Sequence, residues 1–184
     1  MLLDDVLSFN QKFVEEELYV PYEVEGLPKK RAVVLSCMDT RLIELLPNAM
    51  NIKNGDVKMV KNAGGIITSP FDSVVRSILI ALYMLEADEV FIIGHHRCGM
   101  GKLEGEAVLD RMKKRGVSEE KVQTLEHAGL DLKQWLKGFD TVEASVQNSV
   151  EILRNHPLLP AGTPVHGLVI DPKTGKLDLV ERGY

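Results

Sequence analysis

The sequence predicts an α/β fold: a mainly parallel central sheet flanked by helices, with an antiparallel C-terminal hairpin strand at one edge. Three observations carry that expectation. RAVVLSC (31–37) and EVFIIG (89–94) are short runs rich in apolar and β-branched residues, the pattern of strands buried on both faces. Segments of helical periodicity separate the strands, and such alternation implies parallel pairing with helices on both faces of the sheet. At the C-terminus, VHGLVI (165–170) and KLDLVE (176–181) flank the turn Asp171-Pro172-Lys173-Thr174-Gly175, which reads as a hairpin.

Taken in order, Leu3, Val6, Leu7, Phe13 and Val14 recur at mostly helical spacing and predict an amphipathic helix over 2–17. Residues 19–30 read as a loop. The strand 31–37 runs into the polar turn Met38-Asp39-Thr40-Arg41. A second strand is expected at VKMV (57–60), closed by Asn62-Ala63-Gly64-Gly65. The next helix, Phe71 to Leu85, is signalled by Ser69 as cap, Pro70 at the first helical position and Asp72 as the acid of a capping box. It is apolar nearly all round, so it needs cover on more than one face. After the strand 89–94 come His95-His96-Arg97-Cys98 and a glycine-containing turn. Residues 106–137 read as charged and helical, with a break near Gly116 and a cap at Ser118. Asp140 and Glu143 predict a capping box for a helix carrying the stripe Val142, Val146, Val150 and Leu153.

The 184 residues suit one domain, with residues 1–20 as a helical arm. Their 27 acidic and 22 basic side chains give a net charge of −5, which offers no electrostatic footprint for nucleic acid or an anionic membrane. The longest apolar run, Ile78 to Leu85, is far shorter than the ~20 residues of a membrane helix. Asp4 and Asp5 stand where a secretory leader carries positive charge, so a cytoplasmic location is expected. In that compartment the two cysteines are not expected to form a structural disulfide.

Those cysteines are the most informative residues of the chain. Ligands of parallel sheets bind beyond the carboxyl ends of the strands, and two such ends carry Cys37-Met38-Asp39-Thr40-Arg41 and His95-His96-Arg97-Cys98. One imidazole and two thiolates form a Cys₂His set with a position left open, the composition of a catalytic rather than a structural zinc site. Two buried, inert thiols, or one catalytic thiol paired with His95, are the alternatives from residue type alone. Asp39 and Arg41 favour the metal reading: a carboxylate held in an arginine fork stays ionised and aimed. No Gly-rich phosphate loop is present. His127, His156 and His166 are isolated and read as structural.

Together, Cys37-x-Asp39-x-Arg41 and His95-x-x-Cys98-Gly99 resemble the β-class carbonic anhydrases over residues 30–182, with Asn62-Ala63-Gly64-Gly65 as supporting context. The resemblance implies one Zn2+ per chain on Cys37, His95 and Cys98, with Asp39 and Arg41 as a catalytic dyad. It also implies that the Gly99 backbone N–H, at the start of the following helix, lies near the substrate oxygen. The implied reaction is reversible hydration of carbon dioxide to bicarbonate by a zinc-bound hydroxide, in a homodimer or homotetramer. Some relatives let the aspartate leave its arginine and close onto the metal at low pH, which would make Asp39 a gate. His96-Arg97 fills spacer positions where small or acidic residues are frequent. A zinc hydrolase of carbon disulfide or carbonyl sulfide is the rival within the fold. A non-catalytic zinc module is the rival outside it, although such a module has no use for an aimed carboxylate.

Overall fold

A computed structural model describes all 184 residues. The chain starts with α1 (Leu2–Glu15) and a short 3-10 turn at Val20–Tyr22, then enters β1 (Ala32–Cys37), α2 (Leu42–Ala49) and β2 (Val57–Asn62). α3 (Ser73–Met84) and β3 (Glu89–His95) follow. Three short helices, α4 (Gly105–Lys114), α5 (Glu119–His127) and α6 (Leu132–Leu136), lead to α7 (Val142–Arg154), β4 (Val165–Ile170) and β5 (Leu177–Glu181). The sheet order is β2-β1-β3-β4-β5, with β5 antiparallel to β4 and every other pair parallel. The expected fold class is therefore the observed one.

All six residues of β1 are buried, as its unbroken apolar run requires of a central strand. On one face Val33, Leu35, Val90, Ile92, Val165 and Val169 pack against α3 and α7 in the main core. On the other, Val34, Ile93 and Ile170 pack against Leu42 and Leu46 of α2, and Cys37 belongs to the same cluster. Truncating a fully buried leucine such as Leu35 or Leu46 to alanine costs about 2–5 kcal/mol. The charged helices α4–α6 are held by a small cluster of their own, Leu109, Val122 and Leu132. α7 lies so close to β3 and β4 that a Cβ on Gly94 would stand 2.6 Å from Val142 Cγ2 and 2.8 Å from Val146 Cγ2. Gly94 thus seats the helix directly beside His95.

Several boundaries differ from the sequence expectation. α3 opens at Asp72, not Ser69: the Asp72 carboxylate accepts from Val75 N at 2.8 Å, while Ser69 Oγ accepts from Phe71 N in a turn before the helix. α7 is capped by Thr141, whose Oγ1 accepts from Ala144 N, rather than by an Asp140–Glu143 box. Ser118 occupies the cap position of α5 without a side-chain bond to the helix. α2 was not expected. It is eight residues long and contains Pro47, which has no N–H to donate. Its stability comes from burying Leu42 and Leu46 rather than from propensity.

α1 buries no residue, and Leu2, Leu3, Val6, Leu7 and Phe9 along it are exposed. α3 buries Val74, Val75, Ile78 and Ala81 but leaves Ile80, Tyr83 and Met84 exposed, so one chain covers only part of this apolar helix. No helix is long and apolar enough to cross a membrane.

Candidate metal centre

Register brings the ligand candidates together. Ser36 pairs with Ile93, and His95 with Ile170, so Cys37 and His95 leave adjacent parallel strands at the same end of the sheet. The turn after β3 then folds Cys98 back toward Cys37, and the two sulfurs lie 3.8 Å apart. Two thiolates on one tetrahedral zinc, each at about 2.3 Å, stand about 3.8 Å from each other. The Cys37 and Cys98 sulfurs and a ring nitrogen of His95 all lie within 4.8 Å of one another.

His95 is fully buried, and its Nδ1 is 3.0 Å from the His96 carbonyl. A carbonyl only accepts, so Nδ1 carries the proton and Nε2 presents its lone pair. That Nε2 is buried without any hydrogen-bond partner. An orphaned acceptor in the interior costs free energy unless something fills it, and a cation beside two sulfurs is what this one fits. The sulfurs carry a complementary signature. A hydrogen bond from Cys98 holds the Cys37 thiol well below its usual range, against the opposing effect of burial, and the same pairing pushes Cys98 upward. The pair is thus poised to share a single proton, which a metal would replace. These residues fit zinc.

Asp39 starts a tight turn into α2. Its Oδ1 accepts from Arg41 N and from Arg41 Nε, both at 2.9 Å, and its Oδ2 accepts from Arg41 Nη2 at 2.7 Å. Oδ2 is also 3.8 Å from His95 Nε2, so the carboxylate faces the place the ligands surround. The Arg41 side-chain hydrogen bonds, reinforced by the Arg41 backbone N–H, hold the Asp39 carboxyl far below the ordinary carboxylate range. In this structure Asp39 is on Arg41.

Gly99 opens onto the same cavity, about 320 Å³, with Ala63, Gly64 and Met100 among its walls. Its N–H makes no hydrogen bond within the chain. Gly99 does not start the following helix as expected: it lies in a turn closed by Gly101 N donating to Cys98 O, and the next helix begins only at Gly105. The turn frees the N–H, so no helix terminus is needed. A larger cleft of about 500 Å³, lined by Thr68, Gln134 and Asn148 among others, contains neither cysteine nor histidine.

Two supporting residues escaped sequence reasoning as individuals. Asn62 clamps the loop after β2, donating to Ile66 O at 2.7 Å and accepting from Ile66 N at 3.1 Å, while its own carbonyl accepts from Met38 N. Gly65, at φ +65°, passes so close to the Ser36–Cys37 peptide that a Cβ would stand 2.8 Å from Cys37 N. Only glycine fits there. The signal was present as Asn62-Ala63-Gly64-Gly65, but its partner strand was not readable from the motif itself.

A sequence model of the carbonic anhydrase family matches residues 32–177. The chain belongs to the β-carbonic anhydrase family. It is 55% identical over 183 residues to a Bacillus subtilis protein named "Putative carbonic anhydrase YtiB", covering 100% of this chain and 98% of that one. It is 31% identical over 163 residues to a carbon disulfide hydrolase of Acidithiobacillus thiooxidans, covering 83% of this chain and 78% of the other. The crystal structure of a Trichomonas vaginalis β-carbonic anhydrase superposes with a TM-score of 0.88 at 30% identity, covering 100% of both chains.

The downward shift of Asp39 has a defined consequence. A carboxyl whose folded pKa is depressed stabilises the fold above its unfolded value, near 3.9, and loses that contribution as pH falls through the folded value. The Asp39–Arg41 pair is therefore expected to persist from pH 8 down to about pH 4. Carbon-13 NMR of the Asp39 carboxyl in the metal-free protein should show no titration step in that window; a step centred above about pH 4 would contradict it.

Proposed function

We propose that this chain is a zinc-dependent carbonic anhydrase that reversibly hydrates carbon dioxide to bicarbonate. The observation that carries the reading is the ionised Asp39, fixed by Arg41 and facing a Cys37–His95–Cys98 cluster whose imidazole nitrogen has no partner. Cys37, His95 and Cys98 would hold the ion. Bound there, zinc supplies a Lewis acid that brings the pKa of a coordinated water to about 7.

The chain's own residues account for aim and exclusion. Asp39 is too acidic to take a proton near neutrality, so it accepts a hydrogen bond from the attacking water and turns a lone pair toward the substrate carbon. Gly99 N–H donates to an oxygen of the substrate, and the donor costs nothing to free because it is unused in the protein. Ala63, Gly64 and Met100 give carbon dioxide an apolar wall. Water adds to the carbon, bicarbonate leaves, and one proton passes to solvent. The free thiols suit the reducing cytoplasm, the compartment in which we place the enzyme.

Stopped-flow hydration with metal analysis tests the reading. The wild type should hydrate carbon dioxide with one zinc per chain, its rate rising through about pH 7–8.5. Asp39→Asn should keep zinc and lose about a hundredfold in kcat. Wild-type protein carrying one zinc yet inert toward carbon dioxide would refute it, as would a fully active Asp39→Asn. The relative named carbon disulfide hydrolase keeps a second reading in view. Sulfide release from carbon disulfide or carbonyl sulfide, without carbon dioxide hydration, would favour that reading.

The exposed apolar faces of α1 and α3 support a homo-oligomer, a homodimer or homotetramer, with residues 1–20 as an arm of a single domain. Burial of these side chains against a second copy would remove them from water, at about 25 cal/mol per Å². Sedimentation at micromolar concentration should give at least twice the 20.5 kDa chain mass; a species of 20.5 kDa would contradict it.

A further inference from the structure

Arg41 aims Asp39, and Arg41 in turn is a long, partly exposed side chain that needs an anchor of its own. One is visible: besides Asp39, Arg41 Nη2 donates to the backbone carbonyl of Arg97 at 3.2 Å. Arg97 is an unusual residue on which to hang this bond. Its φ is +55°, a left-handed conformation that residues carrying a Cβ disfavour. Something must hold it there.

The end of β4 does so. His96 N donates to Ile170 O at 3.1 Å, fixing the peptide before Arg97. The Arg97 guanidinium then reaches the next residue, Asp171, with Nη2 3.3 Å from Oδ2 and 3.5 Å from Oδ1. Asp171 is itself rigid. Its Oδ1 accepts from Lys173 N at 2.7 Å and Thr174 N at 3.0 Å, and its backbone N donates to Lys176 O across the β4–β5 turn. An ion pair this exposed contributes little to global stability. What it does locally is tie a strained peptide to the end of β4.

We infer that Asp171 is a positioning residue for the Asp39–Arg41 dyad, acting through Arg97: it holds the Arg97 carbonyl where Arg41 needs it. The inference rests on the carbonic anhydrase reading for its effect on turnover, but not for its effect on Arg41. Sequence pattern hid the connection, because Asp171 reads there only as the first residue of a hairpin turn.

Asp171→Asn is the discriminating variant, since the amide oxygen still accepts from Lys173 N and Thr174 N while the charge facing Arg97 is gone. Its kcat for carbon dioxide hydration should fall about tenfold, with KM and zinc content unchanged. The nitrogen-15 resonance of Arg41 Nε–H should shift or broaden, in zinc-free as in zinc-loaded protein. Glycine adopts a positive φ freely, so Arg97→Gly should lose less activity than Arg97→Ala. In the Arg97→Gly background, Asp171→Asn should have no further effect. An unchanged Arg41 signal and kcat in Asp171→Asn would overturn the inference. So would loss of zinc together with activity, or an equal loss from Asp171→Asn in the Arg97→Gly background. A wild type inactive toward carbon dioxide would refute the functional reading alone, leaving the Arg41 resonance to decide the positioning role.

Discussion

The two cysteine sulfurs, 3.8 Å apart, meet because β1 and β3 run side by side in the same direction and end together. Everything in the site depends on that pairing. It sets Cys37 at the mouth of one strand, His95 at the last position of the other, and Cys98 one turn later. The pairing is in turn held by burial: β1 is enclosed on both faces, and the cores on its two sides share no helix. Ligand geometry is thus a by-product of strand register, which a slip of even one residue would destroy.

Around this frame the polar groups are satisfied in a graded way. Asp39 has three bonds from Arg41, Asn62 closes its own loop with two, and His95 Nδ1 is placed against a carbonyl. His95 Nε2 has none. Asp39 brings a negative charge to a half-buried place already containing two sulfurs, one of them, Cys37, easily ionised. Arg41 supplies compensating charge, and a cation between the candidate ligands would supply more. The site is organised to receive positive charge and to direct one carboxylate at whatever binds beside it.

Much of this was legible in the sequence, and the rest was hidden for identifiable reasons. Continuous β-branched runs exposed β1 and β3, and the turn residues 171–175 exposed the β4–β5 pair, because local burial and turn chemistry leave periodic traces. α2 left a weak one: it is short, contains Pro47, and owes its existence to contacts made across the sheet. The caps of α3 and α7 were misplaced by up to three residues because Ser69, Asp72, Asp140 and Thr141 are all capable of capping, and only tertiary packing chooses among them. The candidate ligands Cys37, His95 and Cys98, and the dyad Asp39 and Arg41, came from motif spacing at strand ends, and the structure brings those five together. Gly65 under Cys37 and Asp171 behind Arg97 were beyond reach, since each acts on a residue distant in the chain.

The central claim is that Cys37, His95 and Cys98 together hold one zinc ion and leave a position open. X-ray absorption at the zinc edge of the purified protein tests it most directly, with the same measurement on Cys37→Ser, His95→Ala and Cys98→Ser. The wild type should show two sulfur neighbours at about 2.3 Å, one nitrogen at about 2.0 Å and one further light atom, and each variant should lose its ion. Full zinc occupancy in all three variants, or a shell with fewer than two sulfurs in the wild type, would contradict the account.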